Sequence, residues 1–515
     1  MKYLLFSTFL ITLVLSFVIH PFEVPDENAH YSSLNFLYNE CRMPKMTDSD
    51  NLSIEELETE KIFGIVEHEN KYSYHPEYRL EYTTSTVGLY EDRIKSFNTE
   101  ANRTTYESFQ AATYPPLYYW LTLPFYSLVE ESNILMRLFA SRFSSILLTV
   151  VLISVAYRVG MLVFETKKQA LAVAIMTLFF PMTTYIGAGV NSDNLHNLLF
   201  GIAILLALKL MKHGFSRNLS ICIGTVIGLD LITKPQGYIL IPIFALAVIV
   251  RWKWNEWRSI LSSLFYLLAP IILLAGWQEL PKLILGNNAV GVTSYTARLV
   301  EHGGIDNFKI FFTGYIRTHL TEMIVWYWGV FKWFGVIMPK FWWWVANRLL
   351  SLSFIGLLIG LFIDFKKRTF SWQSKVIVFS VLANVIYISA LGWFDWQFYQ
   401  EYGRSLGLQP RYYMPLLISQ MYLFLLGLIN LGWNQKVKEW IRVGVIIFFL
   451  GLQLTSFYVQ IKSYYDLTTI TTLINQISQY KPWFAKGSWW YLWFSLYSAG
   501  IITTFIYTLK GDGKK

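Results

Sequence analysis

The 515-residue chain reads as an all-α polytopic membrane protein with a small outer-face cap formed by its first loop. Three observations carry that expectation. The composition is 54% hydrophobic and only 15% charged, where ordinary globular domains are about a quarter charged. Apolar runs near the roughly 20 residues that a bilayer crossing needs recur along the whole chain. The basic residues collect in short segments between alternate runs, as cytoplasmic loops do. The net charge of +9 is accordingly a topology signal and not a nucleic-acid footprint.

The first run, Tyr3–Ile19, follows Lys2 and lacks a small-x-small cleavage site, so it reads as an uncleaved span and not a signal peptide. Further runs lie at Ile134–Val163, Ala170–Gly187, Leu195–Met211, Leu219–Ile232, Tyr238–Val250 and Ile260–Trp277. The series closes with Phe341–Ile363, Val376–Trp393, Tyr412–Leu431, Val443–Val459 and Trp489–Leu509, for about 12 spans in all. Lys167-Lys168, Lys212 to Arg217, Arg251 to Arg258, Lys366 to Lys375, Lys436 to Arg442 and the Lys514-Lys515 tail then share one side, which assigns both termini to the cytoplasm. Two runs are short, Leu219–Ile232 and Tyr238–Val250, joined by Lys234-Pro235-Gln236-Gly237. They are two spans or one broken re-entrant pair.

Two long segments are left outside, residues 21–133 and 278–340. The first holds eighteen acids against eight bases between Pro21 and Gln110, with aromatic residues throughout, which suits a folded cap over a disordered tail. The apolar stretch from Tyr114 to Val129 is too short to span and predicts an interfacial helix. Cys41 and Cys222 are far apart and imply neither a disulfide framework nor a thiol metal site.

Polar residues crowd the outer ends of these runs. Val24-Pro25-Asp26-Glu27-Asn28-Ala29-His30 follows the first span directly, and the i,i+4 spacing puts Asp26 and His30 on one helix face. Alone, Pro-Asp-Glu is an ordinary helix start. Other spans add Asn191 and Asp193, then Asp230, Lys234 and Gln236, then Arg404, Gln409 and Arg411. Carboxylates from one loop and cations from others can share a cavity open to lipid and to outer water. In that division of labour Asp26 is the base on an acceptor hydroxyl, supported by Glu27 and His30. Lys234, Arg411 and Arg404 hold a donor phosphate, and Asn191, Asp193, Asp230, Gln236 and Gln409 support them. A divalent metal on Asp26, Glu27 and His30 is possible from the ligand types; no other cofactor is indicated. The segment from Trp328 to Pro339 is amphipathic and aromatic, an interfacial belt by default and a groove lining as the functional reading.

The motifs resemble a bacterial multi-spanning membrane family of unassigned activity, grouped with the GT-C glycosyltransferases that use polyprenyl-linked sugars; its relatives include protein O-mannosyltransferases and the aminoarabinose transferase of lipid A. Pro25-Asp26-Glu27 with His30 matches its Pro-Asp-Glu-x-x-His. Tyr114-Pro115-Pro116-Leu117-Tyr118-Tyr119 is similar to its Pro-Pro-Leu-Tyr-Tyr run, Asn191-Ser192-Asp193 to its Asn-Pro-Asp turn and Lys234-Pro235 to its Lys-Pro break. Gly329 to Pro339 follows a Gly-x-x-Gly-Trp segment ending in Pro, and Arg411-Tyr412-Tyr413-Met414-Pro415 an Arg-Tyr-x-x-Pro. Departures are Val24 for a second Pro, Lys332 for a Gly, Gly335 for an Asp and Pro410 for the Gly before the Arg.

The resemblance implies a GT-C-like fold in a bacterial cell membrane, with the acid after the first span as base and a polyprenyl phosphate or diphosphate sugar as donor. The reading that follows is an inverting membrane glycosyltransferase acting on an extracytoplasmic glycan, lipid or protein hydroxyl, with membrane lipids and no nucleic acid as its surroundings. The alternatives are a lipid-linked glycan flippase or other transporter, a glycan polymerase or ligase, and a non-catalytic envelope scaffold. A transporter places its polar residues and broken helices near the midplane, in corresponding halves of the chain.

Overall fold

The computed structural model describes residues 1–45, 48, 51–65, 77–80, 82, 84–97, 103–104, 114–251, 257–285, 305–402 and 409–510. Every one of the predicted apolar runs is helical there. Among the described residues, seven helices are long and apolar enough to cross a membrane, or eight if a bent pair counts as one span. That pair is Lys167–Phe179 and Pro181–Gly187, which meet at 59°. Pro181 supplies no amide hydrogen to the preceding turn, and Phe180 is extended, so the helix breaks and restarts there.

Lys2–Val18, Arg217–Leu231 and Leu240–Arg251 are shorter, at 17, 15 and 12 residues. The last two bear on one open question. Lys234, between them, lies against Asp193, and Arg251, at their far end, lies against Met211. Asp193 and Met211 mark the two ends of the Asp193–His213 helix, so the segment from Lys234 to Arg251 follows that helix along its length. The two helices run in opposite directions, each packed against Asp193–His213. Gly237 makes the reversal tight: a Cβ there would sit 2.8 Å from the Asp230 carbonyl carbon.

Burial sorts the helices. Asp193–His213 is enclosed by its neighbours, with 89% of its apolar window buried, whereas Lys340–Lys366 has 17% buried and turns Phe341, Phe354 and Phe362 outward. A helix apolar all round with exposed phenylalanines belongs in lipid. Two expectations are extended: Trp372–Tyr402 runs well past the Val376–Trp393 core, and much of 278–340 is helical, in Trp257–Leu285 and Ile305–Trp326.

The first loop folds over one end of the bundle. Helix Glu27–Glu40 packs on the short helix Leu117–Ser127, which follows Pro115-Pro116 and lies against Ile134–Val163. Helix Ile54–Phe63 is capped by Ser53 and rides on Glu27–Glu40 through Ser32–Glu56 and Asn28–Glu60 hydrogen bonds, one helical turn apart on both sides. A buried Arg137–Glu55 pair ties it to the bundle. Burial raises Glu56 well above the carboxylate range and Glu60 to about 7. Two-residue strands Leu52–Ser53 and Arg103–Thr104 pair antiparallel within this cap.

Candidate active site

The loop between the first span and Glu27–Glu40 is held in an unusual backbone. Phe22 and Asp26 both have positive φ, 61° and 59°; aspartate tolerates that region better than most side chains. The Pro25 carbonyl between them accepts from Arg411 Nη1 at 3.1 Å and Asn191 Nδ2 at 2.8 Å. The Phe22 carbonyl accepts from Trp333 Nε1 at 3.2 Å. Three distant segments thus fix one loop, and the reward is the placement of Asp26.

Asp26 is ion-paired with Arg411 through Nη2. Arg411 Nη1 also stands 3.8 Å from Asp193 Oδ2, and Asp193 Oδ1 accepts from Lys234 Nζ. Two carboxylates and two cations from four segments therefore alternate in one continuous row. The side chains of Arg411, Asp193 and Lys234 are at most 4% exposed, whereas Asp26 is 24% exposed. Asp26 is the member of the row that reaches the opening.

Aromatic rings wall the row. Lys234 Nζ lies 5.3 Å over the Tyr114 ring and 5.9 Å over Tyr412, and the Arg411 guanidinium carbon lies 5.0 Å over Tyr412. His30 stacks on Tyr114, and its Nδ1 pairs with the Tyr119 hydroxyl at 2.9 Å. Burial pushes the His30 imidazole down to about 4, so it is neutral at physiological pH. Asn191 Oδ1 accepts from the Asp193 amide at 2.7 Å and shapes the turn that presents Asp193.

Residues 9–420 match DUF2142, a family of predicted membrane proteins. The chain belongs to this family. All six motifs, from Pro25 to Pro415, fall inside the matched region. No curated protein matches the chain. Among solved structures, the DUF2142 chain is similar to ArnT from Cupriavidus metallidurans bound to undecaprenyl phosphate, with TM-score 0.42 at 12% identity over 99% of this chain and 77% of that one. It is also similar to the Archaeoglobus fulgidus oligosaccharyltransferase in complex with zinc and sulfate, with TM-score 0.42 at 11% identity. That match covers 89% of this chain and 53% of the oligosaccharyltransferase. Both overlaps are loose.

Within this DUF2142 site the remaining residues chosen from the sequence separate. Asp26, His30, Asn191, Asp193, Lys234 and Arg411 come together. Glu27 does not. It turns to the other side of the loop, fully buried, where Arg142 donates to both its oxygens at 2.7 and 2.6 Å and the Val190 amide donates at 2.9 Å. Arg142 also caps the first span, donating to the Ser16, Ile19 and His20 carbonyls. Glu27 is a clamp, fully buried with both oxygens taken. Asp230 likewise pairs with His196 at 2.8 Å and not with Lys234, although the two are one turn apart. The break at Ile232 swings Lys234 toward Asp193 instead. Gln409 and Arg411 line a narrow crevice with Pro25, Trp333 and Phe334, closed to water in this conformation. Gln236 is half-buried beside Lys234 in sequence, with its Oε1 unpartnered. Arg404 lies outside the described residues.

Among the described residues no three His, Cys, Asp or Glu side chains converge as a metal centre needs. Of the set weighed for a divalent ion, Asp26 is paired with Arg411, Glu27 with Arg142 on the far side of the loop, and His30 with Tyr119, so the three side chains do not converge.

Two contributors carry no role in the sequence reading. Arg142 stands inside an apolar run, and a charge in such a run is itself a signal of an interior partner. The tyrosines of the Tyr114–Tyr119 motif supply the walls and the His30 partner. The Trp328–Pro339 segment is no outward-facing belt. Val330 and Phe331 pair with Ile337 and Val336 in a hairpin whose turn residues Lys332, Trp333 and Phe334 all have positive φ. Lys332 is held there by its Nζ on the Tyr78 and Ser463 carbonyls.

Proposed function

We propose that the protein is a membrane glycosyltransferase that moves a sugar from a polyprenyl-phosphate-type carrier to an extracytoplasmic hydroxyl. One observation carries this reading: the Asp26–Arg411–Asp193–Lys234 row, with its one partly exposed carboxylate beside Arg411 and two cations whose chemistry suits a phosphate. The motif resemblance supports the same reaction class. In the reaction the acceptor oxygen attacks the anomeric carbon, and the bond from that carbon to the carrier phosphate oxygen breaks. The hydroxyl proton passes to Asp26, and the bonding pair leaves on the phosphate, where Lys234 and Arg411 stabilise it. One in-line displacement inverts the anomeric centre; Asp193, pinned by two cations, is not available as a second, nucleophilic carboxylate.

The row is charge-balanced without substrate. An incoming phosphate competes with Asp26 for Arg411, whose planar fork fits either anion. Donor binding thus frees Asp26 for proton transfer, and the donor binds first.

The test is transfer of labelled sugar from a polyprenyl-phosphate donor to envelope acceptor fractions, using purified protein in lipid nanodiscs. Wild-type protein transfers and Asp26→Asn does not, although it binds the carrier. Full transfer by Asp26→Asn removes Asp26 from the reaction. Mass spectrometry of envelope glycans with and without the protein identifies the sugar.

A further inference from the structure

At the opposite end of the bundle, a cavity of about 280 Å³ opens between three helices, lined by Met211, Lys212, Arg251, Trp372 and Lys375. Lys212 stands nineteen positions after Asp193 on the Asp193–His213 helix. At 1.5 Å per residue that is about 28 Å, close to the roughly 30 Å of a bilayer's hydrocarbon core. The cavity therefore sits at the other membrane interface, which the charge bias assigns to the cytoplasm. We propose that it binds the phosphate of an anionic lipid headgroup.

The cavity is built. Arg251 Nη1 donates to the Met211 carbonyl at 3.2 Å, one of the carbonyls a helix end leaves without an internal partner. Gly214, at φ +87°, makes room for it, since a Cβ there would lie 2.4 Å from Arg251 Nη2. Trp372 Nε1 donates to the Leu162 carbonyl at 2.8 Å, which fixes the indole, and Lys212 Nζ lies 5.6 Å over that ring. Three helices thus bring three cations to one space, two of them, Arg251 and Lys212, positioned by a backbone carbonyl and a ring.

No acidic side chain lines the cavity among the described residues. The charge bias explains why bases lie at this end; loops in water satisfy it equally well, and it does not require three bases to face one cavity. Lys212 and Lys375 bring two like charges to this space, and an anion between them lowers their repulsion. A phosphate matches the chemistry, taking the Arg fork and the two ammonium groups together. The lipid source follows from depth. Trp372 stands where indoles mark the headgroup level, and at the same level Ile249 and Phe370, each two positions from a lining residue, are 66% and 53% exposed, apolar surface at the depth of acyl chains. Basic pockets between spans on this side of a membrane are suited to anionic headgroups.

The experiment is native mass spectrometry of the full-length protein released from nanodiscs containing phosphatidylglycerol and phosphatidylcholine, with a parallel arm in detergent given inorganic phosphate alone. The wild-type protein retains phosphatidylglycerol over phosphatidylcholine. The Lys212→Gln/Lys375→Gln double variant retains it roughly tenfold less. Lys212 is exposed and Lys375 half-buried, and an unchanged thermal midpoint shows that the fold survives. Arg251→Lys keeps the charge, loses the fork and falls between. Phosphate adducts in the detergent arm that disappear in the double variant, without selective lipid retention, assign the same site to a free phosphate and overturn the lipid source. Equal retention of both lipids, or equal retention by wild type and double variant, overturns the proposal. Sugar transfer is not read in any arm, so this result stands apart from the reaction at the other end.

Discussion

Asp26 and Glu27 are adjacent carboxylates, each paired with an arginine, yet they do opposite things. Glu27 is fully enclosed, with both oxygens taken by Arg142 and one also by the Val190 amide. Asp26 shares one contact with Arg411 and keeps a quarter of its side chain in the opening. The backbone at Asp26 is left-handed, and the two side chains part there, Glu27 into the core and Asp26 partly exposed. A charge whose hydrogen bonds are all met holds a fold together. A charge with a replaceable partner can exchange it for a substrate.

The contrast is sharpest if the clamp is broken. Glu27→Ala leaves the Arg142 guanidinium buried without its counter-ion, a loss of about 3–5 kcal/mol. The expected outcome is poor membrane accumulation and a collapsed thermal transition in detergent; a wild-type midpoint would erase the distinction between the two acids. Asp26→Asn is the mirror experiment. Asparagine also accepts positive φ, so the loop keeps its shape while transfer falls by about 10²–10⁴. A variant that loses folding and activity together would make Asp26 a second clamp.

Arg411→Lys sharpens the claim that the partner is replaceable. It keeps the charge and loses the fork, so donor KM should rise on the order of tenfold with a smaller fall in kcat. An effect confined to kcat would place Arg411 away from ground-state phosphate.

The cap gives the smallest effect, and it concerns pH. Burial holds Glu60 protonated up to about 7, above an unfolded carboxyl near 4.5. The folded state then binds the extra proton between those values. Docking of Ile54–Phe63 on Glu27–Glu40 is fully stabilised below about 4.5 and weakens as pH rises through about 7. Amide exchange in Ile54–Phe63 should accelerate over that window, and Glu60→Gln should flatten the response. His30 has the opposite sign: its lowered value favours the neutral ring above about 6.5, and that contribution is lost as pH falls toward 4.

Much of this was legible in one dimension. Apolar length located each helix, and alternating basic segments grouped the polar motifs on one side. Chemistry type then nominated Asp26, Asp193, Lys234 and Arg411 as partners. Side-chain direction was not legible. Asp230 and Lys234 stand at helical spacing, yet the chain breaks between them, so a spacing rule pairs the wrong groups. Glu27 shares its motif with Asp26, and a motif records neighbours in sequence without recording which way each one faces.

What the sequence determined by itself is the membrane bundle and the end at which its polar groups gather, because hydropathy and charge act residue by residue. What tertiary structure decided is which of those groups meet. The placement of Asp26 and the burial of Arg142 each depend on contacts from segments more than a hundred residues away. No local pattern encodes such contacts, and they divide the clamp from the site.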